Sequence, residues 1–127
     1  MMATKKTRPE IEFPGDVPPQ DLVIEDLEVG TGPAVKKGDT VSVHYVGVAF
    51  STGEEFDASW NREQELEFPV GVGMVIQGWD QGLIGMKVGG RRKLTIPPQL
   101  AYGSRGAGAA IGPDETLIFV VDLEAIK

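Results

Sequence analysis

From residue 22 onward, apolar and polar residues alternate with the period of two that marks β-strands. Over residues 40–50, Val41, Val43 and Tyr45 fall on one face and Ser42 and His44 on the other, with Gly47 as a point where the strand can bend. In the final run, Leu117, Phe119, Val121 and Leu123 alternate with Ile118, Val120, Asp122 and Glu124. One face is wholly apolar and the other mixed, as a sheet backed by a helix requires. Leu22, Ile24, Leu27 and Val29 change phase once at Asp26, which predicts a strand with a bend or bulge. Residues 65–70, carrying Leu66 and Phe68, and residues 91–96, ended by Pro97 and Pro98, predict two more strands. Turn signals stand at 30–33, 36–39, 51–55 and 87–91.

One segment breaks the rule of two. Ile76, Trp79, Asp80 and Leu83 are spaced by three and four, so residues 75–83 predict a short helix with an apolar stripe beneath the strands. Gly78, Gly82 and Gly85 lower its intrinsic stability and make it dependent on tertiary contacts. Residues 103–113 form a glycine-rich loop whose only large apolar side chain is Ile111. The expected fold is α+β: about five strands in one highly twisted antiparallel sheet wrapped over one short helix.

Residues 1–20 differ in kind. They hold prolines at 9, 14, 18 and 19 and no sustained periodicity, so they predict a flexible or extended arm anchored at most by Ile11, Phe13 and Val17. The division is an arm over 1–20 and a domain over 21–127. At 127 residues the chain suits one domain and excludes a large two-domain cofactor enzyme. A formal charge of -7 opposes unspecific attraction to nucleic acid or anionic lipid. With no Cys and one His, thiol chemistry, a disulfide scaffold and an imidazole metal site have no residues to use. The start has no apolar stretch of the secretory type and no run reaches a membrane span. The expectation is an unexported, cytoplasmic, soluble protein, monomeric for want of a second apolar face.

Catalytic signatures are scarce. G-V-G-M-V-I-Q-G at 71–78 lacks the spacing and the lysine of a phosphate loop. His44, on the polar side of its strand, reads as a solvated or hydrogen-bonded surface residue. Glu54, Glu55, Glu65 and Glu67 read as solubilising charges, and Arg91, Arg92 and Lys93 as a solvated strand edge. What stands out is an aromatic and branched set on separate elements: Tyr45, Phe56, Phe68, Val75, Ile76, Trp79, Tyr102, Ile111 and Phe119. Composition alone leaves open whether it builds a core or a pocket.

Six ordered blocks carry a resemblance. They are V-H-Y-V-G at 43–47, G-E-E-F-D-A-S at 53–59, V-I-Q-G-W-D-Q-G-L at 75–83, M-K-V-G-G-R-R-K-L-T-I-P at 86–97, L-A-Y-G at 100–103 and T-L-I-F-V-V-D-L at 116–123. Over residues 21–127 the chain resembles a small single-domain member of the FKBP-type peptidyl-prolyl cis/trans isomerases, the macrolide-binding immunophilins. The resemblance implies catalysis of X-Pro rotation by Asp57, Tyr102, Phe56 and Trp79, with substrate held by Tyr45, Arg62, Leu66, Phe68, Val75, Ile76, Ile111 and Phe119. It further implies that Trp79 floors the pocket, that the Ile76 N–H and the Tyr102 hydroxyl anchor substrate carbonyls, and that Asp57 orients the site through Tyr45 and Arg62. Partners are then proline-containing polypeptides and macrolides, with no nucleic acid, membrane, cofactor or metal. Leu66, Ala107 and Leu100 stand where the family often carries rings, which bears on ligand preference. The alternative is a non-catalytic module that holds proline segments or a protein in the same pocket.

Overall fold

The computed structural model describes residues 7–11 and 17–127. Phe13, one of the expected anchors, lies outside them. Among the described residues, six strands form one antiparallel sheet: β1 (Val23–Glu28), β2 (Thr40–Ala49), β3 (Glu55–Ala58), β4 (Leu66–Pro69), β5 (Arg91–Ile96) and β6 (Leu117–Ile126). Their order is β1-β5-β6-β2-β3, with β4 also paired to β2. The sixth strand, beyond the five that periodicity delimits, is β3. It has only four residues and a bulge, too short for alternation to register.

β2 and β6 pair over nearly their full length, and β6 is bordered on its other side by β5. A strand paired on both sides and covered on both faces can be apolar on both, which is why Ile118 and Val120 are as buried as Phe119 and Val121. β1 is the opposite case, an edge strand exposed along its length, with its register shift falling between Asp26 and Glu28.

The helix α1 (Gln77–Gly82) crosses the concave face. Trp79 and Leu83 point into a core built with Val43, Tyr45, Leu94, Ile96 and Phe119. Its glycines are what allow the approach. A Cβ on Gly78 would come within 2.4 Å of Ile96 Cγ2, and one on Gly82 within 2.8 Å of Leu94 Cδ2. Six residues leave most terminal carbonyls without helical partners, and Arg92 supplies a donor to the last of them and to the turn beyond. Its Nη1 donates to Gly82 O at 2.9 Å and Ile84 O at 3.2 Å, while Nε donates to Asp26 Oδ1 at 2.7 Å.

Arg92 thereby corrects one expectation. The basic run is no solvated edge, because β1 pairs outside β5 and makes it an interior strand. Arg91 likewise forms a two-pronged pair with the buried Asp122, from Nε at 2.7 Å and from Nη2 at 3.1 Å. Lys93 faces Glu25 across β1 at 3.8 Å.

The convex face carries a second, smaller apolar cluster of Val46, Val48, Phe50, Ala58 and Ile118, joined by Trp60 and Ile11. Of the expected arm anchors, Ile11 therefore touches the sheet, whereas Val17 is 85% exposed. Pro9, which periodicity gave no reason to single out, is buried.

Candidate active-site cleft

The ring of β2, β3, β6 and α1 encloses a cleft of about 220 Å3. Trp79 lies at its base, with ring centroids of Tyr45, Phe68 and Phe119 at 5.2, 5.3 and 5.1 Å. The Tyr45 and Phe119 rings meet it nearly edge-on, at 79° and 83°, the arrangement aromatic quadrupoles favour. Phe56 meets Phe119 the same way at 5.4 Å. The indole Nε1 of Trp79 is buried with no hydrogen-bond partner among the described residues.

The β3 bulge sets the wall opposite. Val46 pairs Ala58 and Gly47 pairs Asp57, but Val48 pairs Glu55, so Phe56 is the extra residue. An extra residue interrupts the alternation of faces, and both Phe56 and Asp57 line the cleft while Glu55 faces away. Gly47 is the counterpart on β2. A Cβ there would stand 2.6 Å from Phe56 Cζ and 2.7 Å from Phe119 Cε1, so the two rings occupy the volume a side chain would need.

Polar chemistry in the cleft centres on three side chains. Tyr45 Oη donates to Asp57 Oδ2 at 2.5 Å, Arg62 Nη1 donates to Asp57 Oδ1 at 2.7 Å, and Arg62 Nη2 donates to Tyr45 Oη at 2.8 Å. Burial pushes the Asp57 carboxyl up, but the hydrogen bonds from Arg62 and Tyr45 outweigh it and hold the group below its ordinary value. The Tyr45 phenol is pushed up to about 12, first by burial and then by its bond to Asp57. Arg62 is raised first by its own hydrogen bond to Asp57. The set is therefore a neutral phenol, a carboxylate and a guanidinium across the neutral range.

Asp80 shapes the rim from below. Its carboxylate accepts the N–H of Gly71 at 2.8 Å and of Gly73 at 2.9 Å, tying down the turn that precedes α1. Across the mouth, Tyr102 is 41% exposed, and its phenol is raised by burial and then by the Asp57 charge. The loop beyond it folds back through reciprocal bonds between Ala107 and Ile111 at 2.8 and 3.2 Å. Gly106, at φ 66°, lets the Ile111 carbonyl approach to a place where a Cβ would lie 2.3 Å away.

Of the residues the resemblance singles out, Tyr45, Phe56, Asp57, Leu66, Val75, Ile76, Trp79, Tyr102 and Phe119 line the cleft together. Phe68, Ile111 and Arg62 do not line it. Phe68 and Ile111 are buried in the adjoining core, and Arg62 stands behind Asp57 and Tyr45. Met74, 69% exposed at the rim, is a lining residue that sequence reasoning passed over. An exposed, flexible thioether beside an apolar slot is the signal that could have found it.

The site is a concave, mostly apolar cleft with one carboxylate held at its wall by Tyr45 and Arg62, the arrangement of a pocket suited to a small apolar group. Residues 32–124 match the family described as FKBP-type peptidyl-prolyl cis-trans isomerase. An FK506-binding protein of Streptomyces anulatus is 66% identical over 120 residues, covering 94% of this chain and 97% of the relative. A probable FK506-binding protein of Corynebacterium glutamicum is 53% identical over 116 residues, covering 91% and 96%. The crystal structure of AtFKBP13 superimposes with a TM-score of 0.79 at 42% identity, covering 92% of this chain and all of that one. The crystal structure of FkpA from Escherichia coli gives 0.75 at 44% identity, covering 84% of this chain and 48% of that one. The chain belongs to the FKBP-type peptidyl-prolyl cis-trans isomerases.

Proposed function

We propose that the Trp79-floored cleft is where this isomerase turns X-Pro bonds, and that its clients are accessible proline segments of folding or flexible polypeptides. The observation that carries the reading is the carboxylate of Asp57, held by Tyr45 and Arg62 at the wall of a mostly apolar slot. Resonance in the C–N bond raises the rotation barrier to on the order of 20 kcal/mol, and uncatalysed exchange takes tens of seconds. No bond has to break. The transition state is a twisted amide that has lost that resonance and with it much of the carbonyl's polarity. A slot that solvates poorly disfavours the polar planar amide relative to the twisted one, and each tenfold in rate needs about 1.4 kcal/mol of such difference.

In this reading the pyrrolidine ring rests on Trp79 between Tyr45, Phe56 and Phe119. The Ile76 N–H and the Tyr102 hydroxyl take the flanking carbonyls, and Asp57 supplies a fixed negative field near the rotating one. Arg62 acts from behind, by fixing Asp57 and Tyr45. Phe68 and Ile111 support the floor and the glycine-rich loop over 103–113 from the core.

The cleft's volume of about 220 Å3 is below the roughly 300–1,000 Å3 usual for drug-sized ligands. A macrolide of the FK506 kind, after which the relatives are named, therefore inserts one ring and spreads over Leu66, Met74 and Tyr102. The experiment is cis/trans exchange in a short X-Pro peptide, measured by magnetisation transfer with and without the protein. Acceleration that is abolished by FK506 supports the reading. Peptide binding without acceleration supports a non-catalytic module instead.

A further inference from the structure

Residues 7–11 lie on the convex face of the sheet, away from the cleft, and Arg8 there joins a closed set of three side chains. Its Nη1 donates to Asn61 Oδ1 at 2.6 Å, its Nη2 pairs with the Glu55 carboxylate, and Asn61 Nδ2 donates to Glu55 Oε2 at 3.0 Å. Glu55 opens β3, and Asn61 sits in the 3-10 turn Ser59–Arg62 that follows it. The two residues thus bracket Phe56 and Asp57, and Asn61 directly precedes Arg62.

The cleft's own triad is built on the same two segments together with β2. It takes Asp57 from β3, Arg62 from the turn and Tyr45 from β2. The bulge at Phe56 puts Glu55 and Asp57 on opposite faces, so the β3-to-turn corner is gripped from outside by Arg8 and from inside by Tyr45. β3 needs such a grip. It is a four-residue strand at the end of the sheet order, the kind of element whose local opening costs least.

Arg8 is itself held in place. Arg91, already paired with buried Asp122, donates from Nη2 to the Thr7 carbonyl, and the next residue after Arg8 is the buried Pro9. Ile11 then joins the convex apolar cluster.

We propose that Arg8 is a positioning residue for the cleft: through Glu55 and Asn61 it fixes the corner that carries Asp57 and Arg62. This rests on the reading that Asp57 contributes to the rate. A partly exposed ion pair contributes little to global stability, so its removal shows in catalysis rather than in melting.

The test uses the full chain and the variants Arg8→Ala, Arg8→Lys, Glu55→Gln, Asp57→Ala and Arg8→Ala with Asp57→Ala. Exchange kinetics give kcat and KM, nitrogen-detected NMR follows the Arg62 side-chain resonance, and thermal melts monitor folding. Arg8→Ala and Glu55→Gln each lower kcat about threefold with KM and the melt nearly unchanged, and each shifts the Arg62 resonance, as expected for coupling within one network. Arg8→Lys, which keeps the charge, retains more of the rate. In the Asp57→Ala background the Arg8 change costs nothing further. Unchanged kcat in both Arg8→Ala and Glu55→Gln, or the same loss with and without Asp57, overturns the proposal. If Asp57→Ala is slow while Arg8→Ala is normal, only the positioning role fails. If Asp57→Ala keeps full activity, the reading of the cleft fails and the proposal with it.

Discussion

The Tyr45 hydroxyl donates to Asp57 across 2.5 Å, and this contact ties the long central strand β2 to the short edge strand β3 at the wall of the cleft. Removing it by Tyr45→Phe leaves Asp57 with Arg62 and the Ala58 backbone. The ring stays in the core, but two hydrogen bonds are lost, the one donated to Asp57 and the one accepted from Arg62, each worth about 1.5–3 kcal/mol at most and less here because both charged groups are partly exposed. Exchange kinetics should show the loss as a lower kcat. An unchanged rate would separate Asp57's orientation from Tyr45.

The same triad predicts the pH profile. Asp57's value is lowered on folding, so its stabilisation is complete above the ordinary carboxylate range, about 4, and is lost as pH falls through the lowered value. Tyr45's is raised to about 12, so its contribution is complete below the ordinary phenol value of about 10 and is lost as pH rises toward 12. Neither group changes charge in between. The isomerase rate is expected to be flat from about pH 6 to 9, in chelator as well as without it. A bell-shaped profile would reveal a titrating participant elsewhere.

Trp79→Leu tests the floor. The variant leaves a space among Tyr45, Phe68 and Phe119 and costs about 1–3 kcal/mol, moderated because it also removes a buried indole N–H that has no partner among the described residues. A folded Trp79→Leu protein should lose most of its exchange activity and its affinity for FK506. Retained activity beside a normal melt would remove Trp79 from the site.

Gly47→Ala probes the wall from the other strand. One methyl would collide with the rims of Phe56 and Phe119, so either the rings move or β3 does. The expected cost is about 1–3 kcal/mol of stability together with a reduced rate, read by a denaturant melt and by exchange kinetics. A fully active and stable Gly47→Ala protein would show that neither ring position matters.

How much of this was legible in the chain depended on element length. β2 and β6 have ten residues each, and their alternation correctly separated Tyr45 and Phe119 from His44 and Asp122. Three- and four-residue spacing placed Trp79 and Leu83 on one side of a helix, as observed. β3 escaped because four residues with a bulge at Phe56 have no period to read, although that bulge is what turns Asp57 into the cleft. Pairing order escaped too. Nothing local in Arg91 and Arg92 says that β1 and β6 will flank them, bury Arg92 and supply Asp26 and Asp122 as their partners. His44 sits half-buried, its Nδ1 2.9 Å from the hydroxyl of the buried Ser59 and its ring stacked on Trp60 at 4.3 Å. The hydrogen-bonded form of the expectation matches that, but its partners come from a turn that only the tertiary fold brings near.

Tyr102→Phe separates recognition from rate. Removing one hydroxyl at the mouth of the cleft should weaken FK506 by about 0.5–1.5 kcal/mol in calorimetry, the net worth of a neutral hydrogen bond exchanged against water. The ring, part of the lining, stays in place. Undiminished affinity would mean that the hydroxyl faces solvent in the complex.

The central claim is that the Asp57 wall favours the twisted amide over the planar one, and the direct measurement is Asp57→Ala followed by paired calorimetry and exchange kinetics on the same X-Pro peptide. The expected result is a folded protein that binds the peptide with nearly the original affinity and turns it over at least about tenfold more slowly, a difference of about 1.4 kcal/mol confined to the transition state. Equal losses in binding and in rate, or no loss in rate, would contradict it.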